Sequence, residues 1–451
     1  MGTIVYSSDN SYNHIIQDLR NVNPEQKDFA FTGIGYQKKK DSLYTESSGG
    51  KQFYIDPVNG SDSGDGSKKR PWKTLQQVIE KGLIETWNRP SGDPGRGKKP
   101  KNPGAPVKGG DVLVLKEGVH GSIYIRECYN NNYITIKAAT GERPLIRSVY
   151  FNSAGKWRLD GLYITQEMNI KEFIKMPLIN IESKYAQSEN LDFYNNTVFS
   201  VWDSSKWSKE NWNTMACNGM NLNGNYCAVK NNYFKNVDTG INIFGEHNNI
   251  CNNTIKNFSG DGMRGQGNYL LFEKNLIKNV YSVNANHADG FQSFCIGKVT
   301  EFHHNTLIQN VIINYEDYDQ PFRGQLQGIG CFDGFYRHWL VEKNLIVVDH
   351  YHGITFMGAT DTIIKNNIVV DINNVKPGPV RISITPHKDK RPSKNCKITD
   401  NIAQKIIIAT PNTNVTESDN RIISEKEKAD LFTDFDKRDF TLKPAYASFL
   451  K

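Results

Sequence analysis

One phrase recurs along this chain: an Asn, then apolar residues alternating with polar ones, then a closing Asn or Asp. It reads YNNTVFS from Tyr194, NNYFKNV from Asn231, NNTIKNF from Asn252 and KNLIKNV from Lys274. It returns as HNTLIQNV from His304, KNLIVVD from Lys343, KNNIVVD from Lys365 and DNIAQK from Asp400. Aligned on the leading Asn, the copies fall at Asn196, Asn232, Asn253, Asn275, Asn305, Asn344, Asn367 and Asn401. The shortest spacings (232 to 253, 253 to 275, 344 to 367) are 21, 22 and 23 residues. A coil of three short strands and three turns needs such a length, with each strand alternating inward apolar and outward polar side chains. One coil cannot bury its inner face alone, so coils must stack and share a core. Asn at a repeated turn tolerates the left-handed conformation and can hydrogen-bond to its equivalents above and below. A leucine-rich solenoid would need LxxLxL with helical spacers, and a propeller would need longer, aromatic-marked blades. The expected fold is therefore all-β, a single-stranded right-handed parallel β-helix whose wider spacings hold inserted loops.

The repeat does not cover the whole chain. Residues 1–50 lack it and read as an arm or small separate element. From Phe53 the text FYIDPVNGSDSGDGS is a strand and a turn-rich link. PWKTLQQVIEKGL from Pro71 places Leu75, Val78, Ile79 and Leu83 on one face of a short helix, suited to plugging an open solenoid end. Coils are expected over residues 51–410, and 411–451 reads as a C-terminal cap or tail. The acidic run DPVNGSDSGDG is spaced like a calcium loop but lacks the closing bidentate Glu, so a plain turn is expected and no cofactor is assigned.

Composition narrows the partners. The formal net charge is +7, which favours an anionic partner, yet no nucleic-acid recognition motif is present. No apolar run is long enough to span a bilayer, and the N-terminus lacks a basic segment followed by an apolar one. No Sec signal and no membrane partner are expected. The seven cysteines are scattered without CxxC spacing, which points to free thiols and not to a zinc site or disulfide framework.

FYIDPVNGSDSGDGSKKRPWKTLQQVIEKG, GGDVLVLKEGVH and the NN-apolar coils resemble the pectate-lyase-like right-handed parallel β-helix family, over about Phe53 to Ile408. GDGMRGQGN, HADGFQS, QGIGCFDGFYRHWLVEKN, DHYHGITFMG and PHKDKRPS more narrowly resemble bacteriophage tailspike and bacterial polysaccharide depolymerases. The resemblance implies a polysaccharide substrate, a homotrimer, and an extracellular or virion-associated setting. Hydrolysis, β-elimination and epimerisation all occur in the fold, so the fold does not choose the reaction.

Candidate residues follow from what a β-helix can line up, since residues of successive coils stack about 4.8 Å apart on an outer face. Asp261, Asp289 and Asp333 each precede a Gly in blocks about a coil apart, counting insertions. A glycosidase needs two carboxyl groups, one to protonate the leaving oxygen and one to activate water or attack. His287 stands two positions from Asp289 and shares its strand face. His352 follows in another coil. Substrate contacts are expected from Arg264, Gln292, Gln327, Tyr336, Trp339, His387 and Lys388. The leading reading is an endo-acting hydrolase using these Asp residues, and two alternatives stay open. One is a lyase or C5-epimerase with a His base and Lys388 or Arg381 neutralising a uronate. The other is a glycan-binding adhesin.

Overall fold

The computed structural model describes residues 50–447 apart from 90–97, 169–172, 296, 298 and 374–375. The expected N-terminal arm therefore lies outside the described residues. The chain is a right-handed parallel β-helix with three strand faces. The first face stacks the leading parts of Ile123–Ala138 and Val149–Asp160, then Ile179–Glu182, Met220–Asn223, Ile241–Glu246, Met263–Asn268, Asp289–Phe294, Gln327–Asp333, His352–Met357, Arg381–Thr385 and Ile406–Ile408. The second face begins with Gln52–Ile55 and Val112–Leu115 and ends with Thr416–Ser418. The third runs from Gly118–Val119 to Arg421–Ile422. The coil thus passes the expected boundary at 410, because Asn420 adds one more turn to the Asn ladder.

The core follows from strand alternation. Ile241, Ile243, Phe291, Ile329, Ile354, Phe356, Ile382 and Ile384 point inward from the first face and are buried together. Helix Leu75–Glu80 closes the N-terminal end, as its apolar spacing predicted. Thr74 caps it by accepting from the Gln77 amide, and Leu75 and Val78 are buried. The segment after Ser424 folds back along the outside of the third face. There Leu431, Phe432, Phe440 and Leu442 cover Val311, Ile313, Leu345, Val347, Ile368 and Val370. Five cysteines are buried, and Cys128 and Cys295 are partly exposed; all seven are free.

The ladder occupies the turn from the second face to the third. Asn253 Nδ2 donates to Asn275 Oδ1 (3.0 Å) and to the Val229 carbonyl (2.8 Å). Its Oδ1 accepts from the Asn232 amide and side chain, both at 3.0 Å. The same pattern joins Asn196, Asn232, Asn253, Asn275, Asn310, Asn344, Asn367, Asn401 and Asn420. The left-handed residue is the one before each ladder Asn, for example Asn231, Asn252 and Lys274. Asn305 is a correction to the sequence alignment. It sits at the turn from the first face to the second, where it accepts from the Leu270 amide, and Asn310 takes the ladder position. The phrase HNTLIQNV carries an Asn at both corners, so spacing alone selected the wrong one. Asn253→Ala is expected to destabilise the protein by about 2–4 kcal/mol, because it strands buried donors and acceptors on two neighbouring coils. Urea unfolding measures this, and a change below about 0.5 kcal/mol would remove the ladder from the account of stability.

Candidate active site

The outward residues of the first face form one register row. It runs Tyr124, Tyr150, Asn180, Asn221, Asn242, Arg264, Gln292, Gly330, Thr355 and Ser383, each paired with the next. Polar groups gather where this row meets the corner arriving from the third face. The large insertions, 200–219, 281–288 and 314–326, also enter at that corner and wall it.

Asp261 and Asp289 sit one above the other at this corner. Arg264 Nε donates to Asp261 Oδ2 (2.5 Å), and the Asp289 amide donates to Asp261 Oδ1 (2.8 Å). Gln292 Nε2 donates to Asp289 Oδ2 (3.0 Å), while Asp289 Oδ1 is buried without a donor. Burial is the main cause that pushes Asp289 well above the usual carboxylate range, and the neighbouring Asp261 charge adds to it. Of the two, Asp289 is the one whose neutral form is favoured, whereas Arg264 opposes the rise that burial imposes on Asp261. One coil further, a Cβ on Gly330 would lie 2.4 Å from both Asp289 Oδ1 and the Phe332 ring. The missing side chain lets carboxyl and ring meet.

Gln327 pairs with Asp289 in register, and its Oε1 is buried without a donor. His352 stands in the next coil. Its Nδ1 lies 2.9 Å from Thr355 Oγ1, which lies 2.8 Å from Ser383 Oγ. The His352 amide donates to His350 Nδ1 (3.2 Å). Phe332 packs on the His352 ring at 4.8 Å. Burial lowers His352 to about 3, helped by His350 and Arg381, and lowers His350 to about 4, helped by His287 and Arg381. Both imidazoles are therefore neutral near pH 7. Arg381 stacks on Tyr351 (4.5 Å), and its Nε is buried without an acceptor. His287 is exposed at the rim of this group.

The expected residues divide accordingly. Asp261, Asp289, Arg264, Gln292, Gln327, His352 and His287 come together. Asp333 does not. It lies six residues along the strand from Gln327, so roughly 20 Å from the corner, and its exposed carboxylate pairs with Lys388 (2.5 Å). A coil with a large insertion hid that register. His387 sits with Lys388 at this far edge, against Phe335 (4.4 Å) and Asp389 (2.9 Å). Tyr336 and Trp339 are corrected as substrate contacts. Both are buried, and their polar tips are satisfied by the Ser293 and Phe302 carbonyls. Sequence reasoning passed over Phe332, Tyr351, Thr355 and Ser383. Position in the repeat was the signal for Thr355 and Ser383, which continue the row of Arg264 and Gln292.

Among the described residues no group of three or more His, Cys, Asp or Glu is arranged to hold a metal ion, and no helix is long and apolar enough to cross a membrane. In the acidic turn, Asp56 Oδ1 accepts from the Val58 and Asn59 amides, and Asp65 Oδ1 accepts from the Ser67 amide.

No protein-family model matches the sequence, and no curated protein does. Among solved structures, the chain is similar to the GH136 lacto-N-biosidase from Eubacterium ramulus, at 11% identity and a TM-score of 0.45, over 82% of this chain and 67% of that one. It is similar to Dex49A from Penicillium minioluteum at 10% identity and a TM-score of 0.44, over 69% of this chain and 60% of that one. It is also similar to pectate lyase Pel9A at 13% identity and a TM-score of 0.38, over 87% of each chain. At such identity the likeness concerns the chain path, and the parallel β-helix rests on the register of this chain's own sheets.

Proposed function

We propose that the first face binds an acidic polysaccharide and that the His350–His352–Arg381 group abstracts the proton next to a uronate carboxylate, as a lyase or C5-epimerase does. One observation carries this reading: a guanidinium with a buried, unanswered Nε lies beside two imidazoles held neutral. Arg is suited to a planar carboxylate, and neutralising that carboxylate acidifies the adjacent C–H. His352 Nδ1 is oriented by Thr355 and Ser383, which leaves Nε2 as the base. In elimination His352 takes the C5 proton, the C4–O bond breaks, and a C4–C5 double bond forms. The leaving oxygen takes a proton from solvent. Gln292, Gln327 and Arg264 lie where they can hold neighbouring units. Incubation with polygalacturonate or alginate is expected to yield unsaturated ends with near-ultraviolet absorbance. Reducing ends without that absorbance would overturn elimination.

The pH dependence carries a sign. A base lowered to about 3 is deprotonated above that value, so the acid limb of kcat/KM should lie near pH 3 to 4. An ordinary His would set the limb near its usual value of about 6.5. A limb at that higher pH would exclude His352 and His350 as the base.

A specific observation supports hydrolysis as a second reading. Asp289 has its carboxyl raised by burial and lies one coil from Asp261, the arrangement of an acid beside a second carboxyl. Asp261, however, is committed to Arg264 and to the Asp289 amide.

A further inference from the structure

The outward row of the first face begins at Tyr124, nine coils before Ser383 and so roughly 40 Å from it. Beneath Tyr124 lies a cavity of about 400 Å³. Helix Leu75–Glu80, the antiparallel pair Thr86–Trp87 and Pro100–Lys101, and strand Ile123–Ala138 line it, and it opens to the surface. It shares no residue with the group around Arg381.

Several features of its wall point to a ligand. Thr86 lines it, is buried, and its hydroxyl has no hydrogen-bond partner. A buried hydroxyl left unanswered is costly, and a ligand hydroxyl would answer it. Tyr124 is 58% exposed and stacks on Tyr150 at 5.1 Å, which leaves its other ring face at the cavity. Trp157 adds a second aromatic wall, its own indole N–H already donating to the Cys128 carbonyl (2.9 Å). Of the two cations on the wall, Arg126 is paired with Glu127 (3.7 Å) and stacked on Tyr185 (4.3 Å), which leaves Lys101 opposite Glu80, itself held by Gln76 at 2.7 Å. Lys101 Nζ donates to the Arg126 carbonyl (2.7 Å) and to Cys128 Sγ (3.5 Å) and keeps one further donor. Apolar ring faces, an unanswered hydroxyl and the Lys101 ammonium match a sugar ring that bears a carboxylate.

We infer that this cavity holds the terminal unit of an acidic oligosaccharide lying along the first face, an inference that rests on the substrate class proposed above. Tyr124 packs on the C–H face of the sugar, Thr86 hydrogen-bonds a ring hydroxyl, and Lys101 meets the carboxylate. The cavity anchors chains long enough to reach from it to Arg381, so it sets a preference for polymer over short oligomers.

The test uses the full chain with Arg381→Met, which stops chemistry, and follows tryptophan fluorescence as oligogalacturonate or alginate oligomers are added. Tyr124→Ala, Thr86→Val and Lys101→Met are each expected to weaken binding about tenfold. In the active background the same variants should raise KM for polymer and leave kcat/KM for short oligomers unchanged. Binding unchanged by all three variants overturns the cavity while the proposed chemistry stands. Binding weakened by them in a protein that cuts no uronate polymer keeps the cavity and removes the chemistry. No binding of any acidic oligosaccharide by the chain overturns both.

Discussion

Arg381→Met lowers kcat/KM on a uronate polymer by about a hundred- to a thousandfold, the cost of removing a preorganised group that meets charge developing in the transition state. The methionine keeps an apolar side chain of similar reach and removes the guanidinium together with its stacking on Tyr351. Arg381 Nε has no acceptor inside the protein, so no internal partner is left stranded by the change. Loss of fold is therefore not the expected cause, and an unchanged urea midpoint separates the two. Arg381→Lys should recover part of the rate, since it restores charge without the planar fork. Activity within about threefold of the unaltered protein would end the uronate reading, because a dispensable neutralising cation costs nothing like the loss expected.

Asp289→Asn separates the two chemistries. If His352 is the base, the carboxyl of Asp289 holds Gln292 and takes no part in proton transfer. The variant should then keep kcat within about threefold, as the amide can still accept from Gln292. If Asp289 is the general acid of a hydrolase, the same change costs about 10²- to 10⁴-fold. Stability gives an independent reading. The Asp289 carboxyl is raised in the fold, so its contribution is fully present below the unfolded value of about 3.9 and is lost as pH rises through the folded value. The Asn variant should therefore lose less stability than the parent between about pH 4 and pH 7. Equal losses would mean that the Asp289 carboxyl is not raised in the fold.

The fold was legible because its determinants are local and repeated. The Asn phrase marks a turn whose side chains bond to their own equivalents, and the apolar positions of PWKTLQQVIEKGL mark the end plug. Asp261 and Asp289 could be placed together because only a short loop separates their coils. Asp333 could not, since residues 314–326 intervene and the length of an insertion says nothing of where the strand resumes register. Tyr336 and Trp339 looked like a sugar platform in GFYRHW. Tyr336 is buried because it lies on the short strand Phe335–Arg337, the middle one between Glu301–His303 and Ala359–Thr360, and Trp339 packs against it inside the core at 5.5 Å. Arg381 was visible as a neutralising cation. Its unanswered Nε was not, because the absence of a partner is a fact of three dimensions.

The Asn ladder has a consequence for how this protein can change. Each rung fixes its neighbours by bonds that span one coil, whether 19 or 36 residues of sequence lie between the two Asn residues. It works as a ruler that measures height along the axis and ignores chain length. Loops at the corner beside His352 can therefore be exchanged or lengthened without displacing the row that faces them. A single residue inserted between a left-handed position and its Asn would break the measure at that rung and strand the partners on the coils next to it. Variation in what this face accepts is thus confined to one edge of the molecule, and the rest is held to count.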